Sequence, residues 1–355
     1  MEARERITFV LPGLFVAGGI RYVFNISSQL VAKGCDVKIV YPRQLKGRVW
    51  RILGRRAARL FSRLKGTTHG SSPWLSTDAT LLEAPALEPC YVPDSDYVFA
   101  TAWQTARFVD SLPAGNGEKC YLLQHYETWA GPTEDVDTTW RLPLRKIVVA
   151  QWLADLAREK FGDPDARVVN LGVDPELFYV KDKSYNQRPR VMMLYHHQPW
   201  KGCSDGLNAI SLARESVDFD VVLFGAHEAK GDVPPDAEFH FDPPQEDLRR
   251  LYCSCDVFLS PSWLEGGPMP PMEAMACGCA VVASNSRGIV EYAIHEENAL
   301  LSEPRHPERL AADLIRVISD RELMRRLGEH GIRRMELFTW ERSAGQMLDA
   351  LCGGQ

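Results

Sequence analysis

Short apolar runs that stop at glycine or proline turns alternate with helical stretches, and the chain runs through this alternation twice. ITFVLP (7–12) leads into LFVAGGI, a helical pattern to Gly34 and then DVKIVYP, which reads as strand, Gly-rich turn, helix and strand. Further strands are expected at YVFAT (97–101), KCYLLQ (119–124), RKIVVA (145–150) and ARVVNLGV (166–173), with helix WLADLAREKFG between the last two. Strands that must be joined by helices lie parallel, and the sheet they form is covered on both faces, a doubly wound α/β arrangement. A polar stretch, VKDKSYNQRP, places a linker near residues 175–190, giving domains of 1–175 and 176–337. Beyond it the pattern restarts: RVMMLYH, a helix from about Ser204, FDVVLFG, EFHF, a helix around EDLRRLY, DVFLSPS, a helix around PMEAMACG, and CAVVAS. Amphipathic helices make up the tail.

A length of 355 residues suits two such domains, each large enough to bury a core without cross-links. No window holds the ~20 apolar residues of a membrane span, and MEARERITFVLPG carries no apolar leader core, so the expected address is cytoplasmic. The nine cysteines lack the spacing of a disulfide framework or a zinc site, and no metal site is expected. A net charge of −6 argues against nucleic acid as a partner.

The most informative stretch is LSPSWLEGGPMPPMEAMACGCAVVAS (259–284). A strand ends in a loop of two glycines and three prolines, and a helix is expected to start near Pro271 or Met272 with Glu273 in its first turn. Ligands of doubly wound sheets bind at the C-terminal ends of strands, and a helix start preceded by glycines presents N–H groups to anionic oxygen, so this loop is a phosphate-cradle candidate. Glu265 and Glu273, seven residues apart, suit hydroxyls of a sugar and a ribose. Taken singly, Glu273 could equally serve the helix dipole and Glu265 could be a solvated loop residue.

PSWLEGGPMPPMEAMACGCAVVAS resembles the E-x7-E signature of the family 4 retaining glycosyltransferases of the GT-B fold. NLGVDPELF (170–178), WKGCSDGLNAI (200–210), EDLRRLYCSCDVFLSPS and FTWERSA extend the resemblance through the second half, and LPGLFVAGGIRYVFN and VVAQWLADLAREKFG more loosely through the first. The resemblance implies two Rossmann-like domains facing across a cleft, with the C-terminal helix 338–355 rejoining the first. It implies that Glu265 lies by the donor sugar, that Glu273 binds the nucleotide ribose, and that Lys201 pairs with the diphosphate. Backbone at Gly266, Gly267, Met269 and Pro270 would line the donor, and Gly18 and Gly19 would approach the diphosphate from the first domain. His125 takes the place of a histidine facing the transferred sugar; a structural histidine is the alternative. Glu127 and Trp129, in YLLQHYETW (121–129), and Trp103 are candidate acceptor contacts, with core packing the alternative for Trp103.

Two departures stand out. His196 and Tyr195 occupy the positions where the family carries a phosphate-binding arginine, leaving His196, His197 or a distant arginine to meet that charge. EGGPMPP replaces the family's EGFGLP, so Pro268 removes an amide donor. The expected chemistry is transfer of a hexosyl unit from a nucleotide-diphosphate sugar to a hydroxyl of a glycan, lipid-linked or small-molecule acceptor, with retention. No nucleophile stands out, so positioning and leaving-group stabilisation by Lys201, helix ends and loop amides carry the rate. Glu265, His125 and Lys201 are the expected catalytic residues. DxD triplets at 94, 135, 163 and 218 sit at no convincing site, and metal independence follows. Rival uses of the fold are a non-catalytic nucleotide-sugar-binding protein and a nucleotide-sugar epimerase.

Residues 43–65 carry nine Lys or Arg and no acid. Their apolar residues fall on one helical face, which suits a helix on the anionic inner face of a membrane; a helix packed on the first domain, or a basic groove for an anionic acceptor, is the alternative.

Overall fold

The computed structural model describes residues 4–15, 17–43, 75–226, 228 and 233–353; all but the first residue of the basic segment 43–65 lies outside them. The chain divides into two compact units, Met1–Val169 with Ser343–Gln355, and Asn170–Arg342.

The first unit is built from β1 (Arg6–Val10), α1 (Gly18–Ala32), β2 (Asp36–Pro42), β3 (Thr80–Ala84), β4 (Tyr97–Ala100) and α2 (Trp103–Asp110). It continues with β5 (Glu118–Leu123), α3 (Thr133–Trp140), β6 (Arg145–Val148), α4 (Gln151–Phe161) and β7 (Arg167–Val168). Its strands pair in parallel in the order β3-β2-β1-β4-β5-β6-β7, so the direction of winding reverses between β1 and β4. Phe9 on β1 pairs with Ile39 and Phe99 on either side and stacks on Phe99 at 4.9 Å. Each such fully buried side chain stabilises the fold by about 1.5–3 kcal/mol. Two expectations need correction. β3, half-exposed at the sheet edge, shows too little apolar pattern to announce itself. The run 166–173 keeps only the two residues of β7 as strand; beyond them Val173 bridges to Thr339.

The second unit holds β8 (Arg190–Leu194), α5 (Cys203–Arg214), β9 (Asp220–Gly225), β10 (Glu238–Phe241), α6 (Gln245–Ser254) and β11 (Val257–Ser260). After these come α7 (Met269–Ala276), β12 (Ala280–Ser284), β13 (Ala299–Ser302), α8 (Pro307–Ser319) and α9 (Arg321–Met335). The sheet order is β10-β9-β8-β11-β12-β13, all parallel, with its reversal between β8 and β11. VMM of β8, VVLF of β9 and all of β11 and β12 are buried, as a sheet covered on both faces requires. Helix α9 is capped by Asp320, whose side chain accepts from the amides of Glu322 and Leu323. Helix α10 (Trp340–Cys352) starts in this unit and ends in the first, where Arg145 donates to the carbonyls of Ala350 (3.1 Å) and Leu351 (2.6 Å). Those are terminal carbonyls that a helix leaves without partners of its own.

Candidate active site

In the second unit a small recess opens where β8 and β11 end, the reversal point at which doubly wound sheets bind ligands. Lys201, Ser260, Ser262, Glu265, Pro268 and Pro270 are among its walls.

Lys201 is the last residue of a 3-10 turn, Pro199–Lys201, and the left-handed Gly202 (φ 63°) turns the chain directly into α5. A Cβ on Gly202 would lie 2.1 Å from the carbonyl oxygen of Pro261, so only glycine lets this turn rest against the chain leaving β11. Two hydrogen bonds fix that contact: the Trp263 amide donates to Trp200 (2.7 Å), and the Trp263 indole to Asp205 at the start of α5 (2.6 Å). The result is an ion pair 2.8 Å long between Lys201 Nζ and Glu265 Oε1, with the carboxylate almost fully buried. Glu265 is also held through its backbone, donating to Ser286 and accepting from Gly288.

Helix α7 corrects the sequence expectation. It begins at Met269, two residues early, because proline's fixed φ suits a first helical turn; Glu273 therefore stands in the second turn. Its cap is Pro268 and its second and third residues are Pro270 and Pro271. Of the four amides a helix start normally leaves free, only that of Met269 exists, so the expected cradle is poor in donors. Gly267 packs against Leu171, which would lie 2.2 Å from an added Cβ.

Glu273 is 3% exposed and accepts a hydrogen bond from the Tyr252 hydroxyl of α6 at 3.1 Å. Tyr292 donates to the Pro268 carbonyl at 2.7 Å. Its phenol is held protonated by burial and then by the negative charge of Glu265 and Glu273. His196 donates its amide to Cys203 Sγ, and its Nδ1 accepts from the Gln198 amide (3.1 Å); Tyr195 is buried in the core.

A second group of predicted residues gathers in the first unit, where β1, β4 and β5 end. Gly18 and Gly19 open α1, and Gly19 lies against the Gln124 side chain. The ring of His125 meets that of Trp129 at 4.1 Å and right angles, and that of Trp152 at 5.8 Å. Glu127 accepts from the backbone amide of Trp103, the first residue of α2, at 2.9 Å. Burial pushes the Glu127 carboxyl up to about 7, against the opposing pull of that amide. Trp103 in turn lies over Gly131, whose added Cβ would come within 2.5 Å of its ring.

Sequence reasoning missed Tyr252, Tyr292, Gln124 and Trp152. None stands at a spacing that marks it, since each reaches its partner through the tertiary fold.

Among the described residues, no group of three or more His, Cys, Asp or Glu is disposed to hold a metal, and none of the nine cysteines forms a disulfide. Each DxD triplet has a carboxylate engaged by a basic side chain: Asp96 by Arg6, Asp137 by Lys160, Asp163 by Lys146 and Asp218 by Arg188. Three of the four lie at the N-terminal ends of β4, β7 and β9, the edge of the sheets opposite to ligand sites.

Residues 178–334 match the family model for glycosyl transferases group 1, a span that contains the recess, Lys201 and both glutamates. In its second unit, the chain is similar to the group 1 glycosyl transferases. An MMP alpha-(1->4)-mannosyltransferase of Mycolicibacterium hassiacum is 32% identical over 192 residues, 51% of this chain and 46% of that protein. The chain spans about half the length of the curated relatives it matches. Among solved structures, sucrose-phosphate synthase from Thermosynechococcus elongatus is similar with a TM-score of 0.76 at 19% identity, covering 99% of this chain and 100% of that one. Anabaena Alr3699/HepE, solved in complex with UDP-glucose, gives 0.75 at 15% identity over 98% and 99% of the two chains. The two-sheet architecture is the GT-B fold. No helix among the described residues is long and apolar enough to cross a membrane.

Proposed function

We propose that the chain is a group 1 glycosyl transferase that moves a hexosyl unit from a nucleotide-diphosphate sugar to an acceptor hydroxyl with retention and without metal. The observation that carries this reading is the Lys201–Glu265 pair in the recess at the β8/β11 reversal, with the buried Glu273 nearby on α7. Glu265 holds the ammonium in place until the donor arrives. Lys201 then turns to the diphosphate and Glu265 to a hydroxyl of the sugar, while Glu273, steadied by Tyr252, takes the ribose. The bond from the anomeric carbon to the diphosphate oxygen breaks, the acceptor oxygen bonds to the same face, and its proton leaves on the departing diphosphate. Neutralising that developing charge is the main contribution to rate. From the first unit, the Gly18–Gly19 turn serves the diphosphate and His125 the transferred sugar. Glu127, Trp103 and Trp129 serve the acceptor.

A second reading, a nucleotide-sugar-binding protein without turnover, draws on the three missing amides at the start of α7, which weaken leaving-group stabilisation. One experiment separates them. Thermal unfolding is followed with UDP, GDP, ADP and dTDP sugars in chelator, on the wild type and on Glu273→Ala, alongside release of free nucleotide. A bound sugar nucleotide at 100 times its Kd stabilises by about 2.7 kcal/mol. The expected outcome is a shift with one nucleotide class, lost in Glu273→Ala, with nucleotide released when acceptor is supplied. A shift without release supports the binding protein; no shift with any sugar nucleotide defeats both.

A further inference from the structure

The loop between β5 and α3 is fastened at three points, and between them it holds one indole out to solvent. Tyr126 is the first: its hydroxyl donates to Asp137 (2.5 Å) and accepts from Lys160 (2.5 Å), whose ammonium also lies 4.8 Å above the Tyr126 ring. Glu127 is the second, through the Trp103 amide, and Gly131 the third, under the Trp103 ring. Short backbone bonds from Thr128 to Tyr126 and from Ala130 to Glu127 tighten the turn. Trp129 sits inside this frame and is nonetheless 41% exposed. Its support comes from the side, by the perpendicular His125 ring, which is backed by Trp152 at the start of α4.

We propose that Trp129 is a stacking platform for a pyranose ring, so that the acceptor is a saccharide bound through its sugar face and not through an aglycone or a lipid tail. The proposal rests on the acceptor side of the function given above. An exposed tryptophan fixed by its neighbours presents a flat apolar surface without an ordering cost on binding, which matches the C–H face of a sugar. The flanking groups complete that chemistry. His125 and Glu127 are polar groups in the same loop, and Glu127, neutral for much of its population near pH 7, is able to donate as well as accept a hydrogen bond to a hydroxyl. An acyl chain has no use for them.

The chain would be titrated with methyl glycosides of glucose, mannose, galactose and N-acetylglucosamine, observed by saturation-transfer NMR and by tryptophan fluorescence. Uridine and phosphatidylglycerol vesicles serve as competitors. The expected result is binding of at least one glycoside, weakened 10-fold or more in Trp129→Ala and at most about 3-fold in Trp129→Phe. The unliganded melting temperature of each variant verifies that it folds. Equal binding to wild type and Trp129→Ala overturns the proposal, as does displacement by uridine or capture by vesicles in place of the glycoside. If sugar nucleotides stabilise the wild type and no glycoside binds, the platform fails and the transferase reading stands. If a glycoside binds through Trp129 and no sugar nucleotide stabilises the chain, the platform stands and the transferase reading fails.

Discussion

Glu127 shows at the scale of one residue how position sets chemistry. Its carboxyl stands where α2 needs an acceptor, because Ala102 offers no side-chain cap, yet it is buried enough to bind its proton up to about pH 7. The folded chain therefore holds this proton more tightly than the unfolded one. Stability on this account is complete below the ordinary glutamate value of 4.5 and declines as pH rises through about 7, by about 3 kcal/mol in all. Glu127→Gln keeps an acceptor for the Trp103 amide and removes the proton. Its melting temperature should accordingly stay flat between pH 5 and 7.5 relative to the falling wild type; parallel curves for the two would rule out this origin. Lys201, Glu265 and Glu273 were legible as letters because their motif is dense, and the structure seats Lys201 and Glu265 against one another. Tyr252 was not legible: its hydroxyl reaches Glu273 across 21 positions of sequence through the packing of α6 on α7.

Among the elements, α7 departs most from its reading. Three prolines near its start read as a loop, and they form the cap and first turn of a helix. Where a proline lacks an N–H, alanine restores one, and Pro270 lines the recess. Pro270→Ala should lower the stability of the unliganded chain by about 0.4–1 kcal/mol, through the freer unfolded state. It should also tighten nucleotide diphosphate binding several-fold, by a charge-assisted bond worth about 1.5–3 kcal/mol before desolvation. Calorimetric titration of UDP against both proteins checks this, and unchanged or weaker affinity would mean that the helix start does not face the diphosphate. Most strands of both sheets were legible, since buried parallel strands are continuous apolar runs. β3 was not, because an edge strand needs only one apolar face; nor was β13, which follows a 3-10 turn at Gly288–Glu291.

The whole molecule is two α/β units, the first of which is completed from far along the chain. Ala344, Met347 and Leu351 of α10 are buried, and Tyr97 and Arg145 bind the carbonyls at its end. Deleting residues 343–355 removes that packing. It should destabilise the first unit by about 3–6 kcal/mol, counted from the buried Met and Leu side chains and the lost carbonyl partners. Differential scanning calorimetry should then show the transition of the first unit moved to lower temperature, and a deletion that leaves every transition in place would contradict the role of the helix. The repeat of strand and helix announced two such units; the helix that closes the first reads in its own letters only as an amphipathic tail, and its return to that unit was expected from the family resemblance alone.

That arrangement has a consequence during biosynthesis. The second unit is one unbroken segment, while the first waits for residues that are translated only after all of Asn170–Arg342. At ordinary elongation speeds the interval is roughly 10–35 s, long compared with the folding of a domain. Through that time the nascent first sheet lacks the helix that covers Tyr97 and Arg145, so the order of completion on the ribosome runs opposite to the order of the sequence.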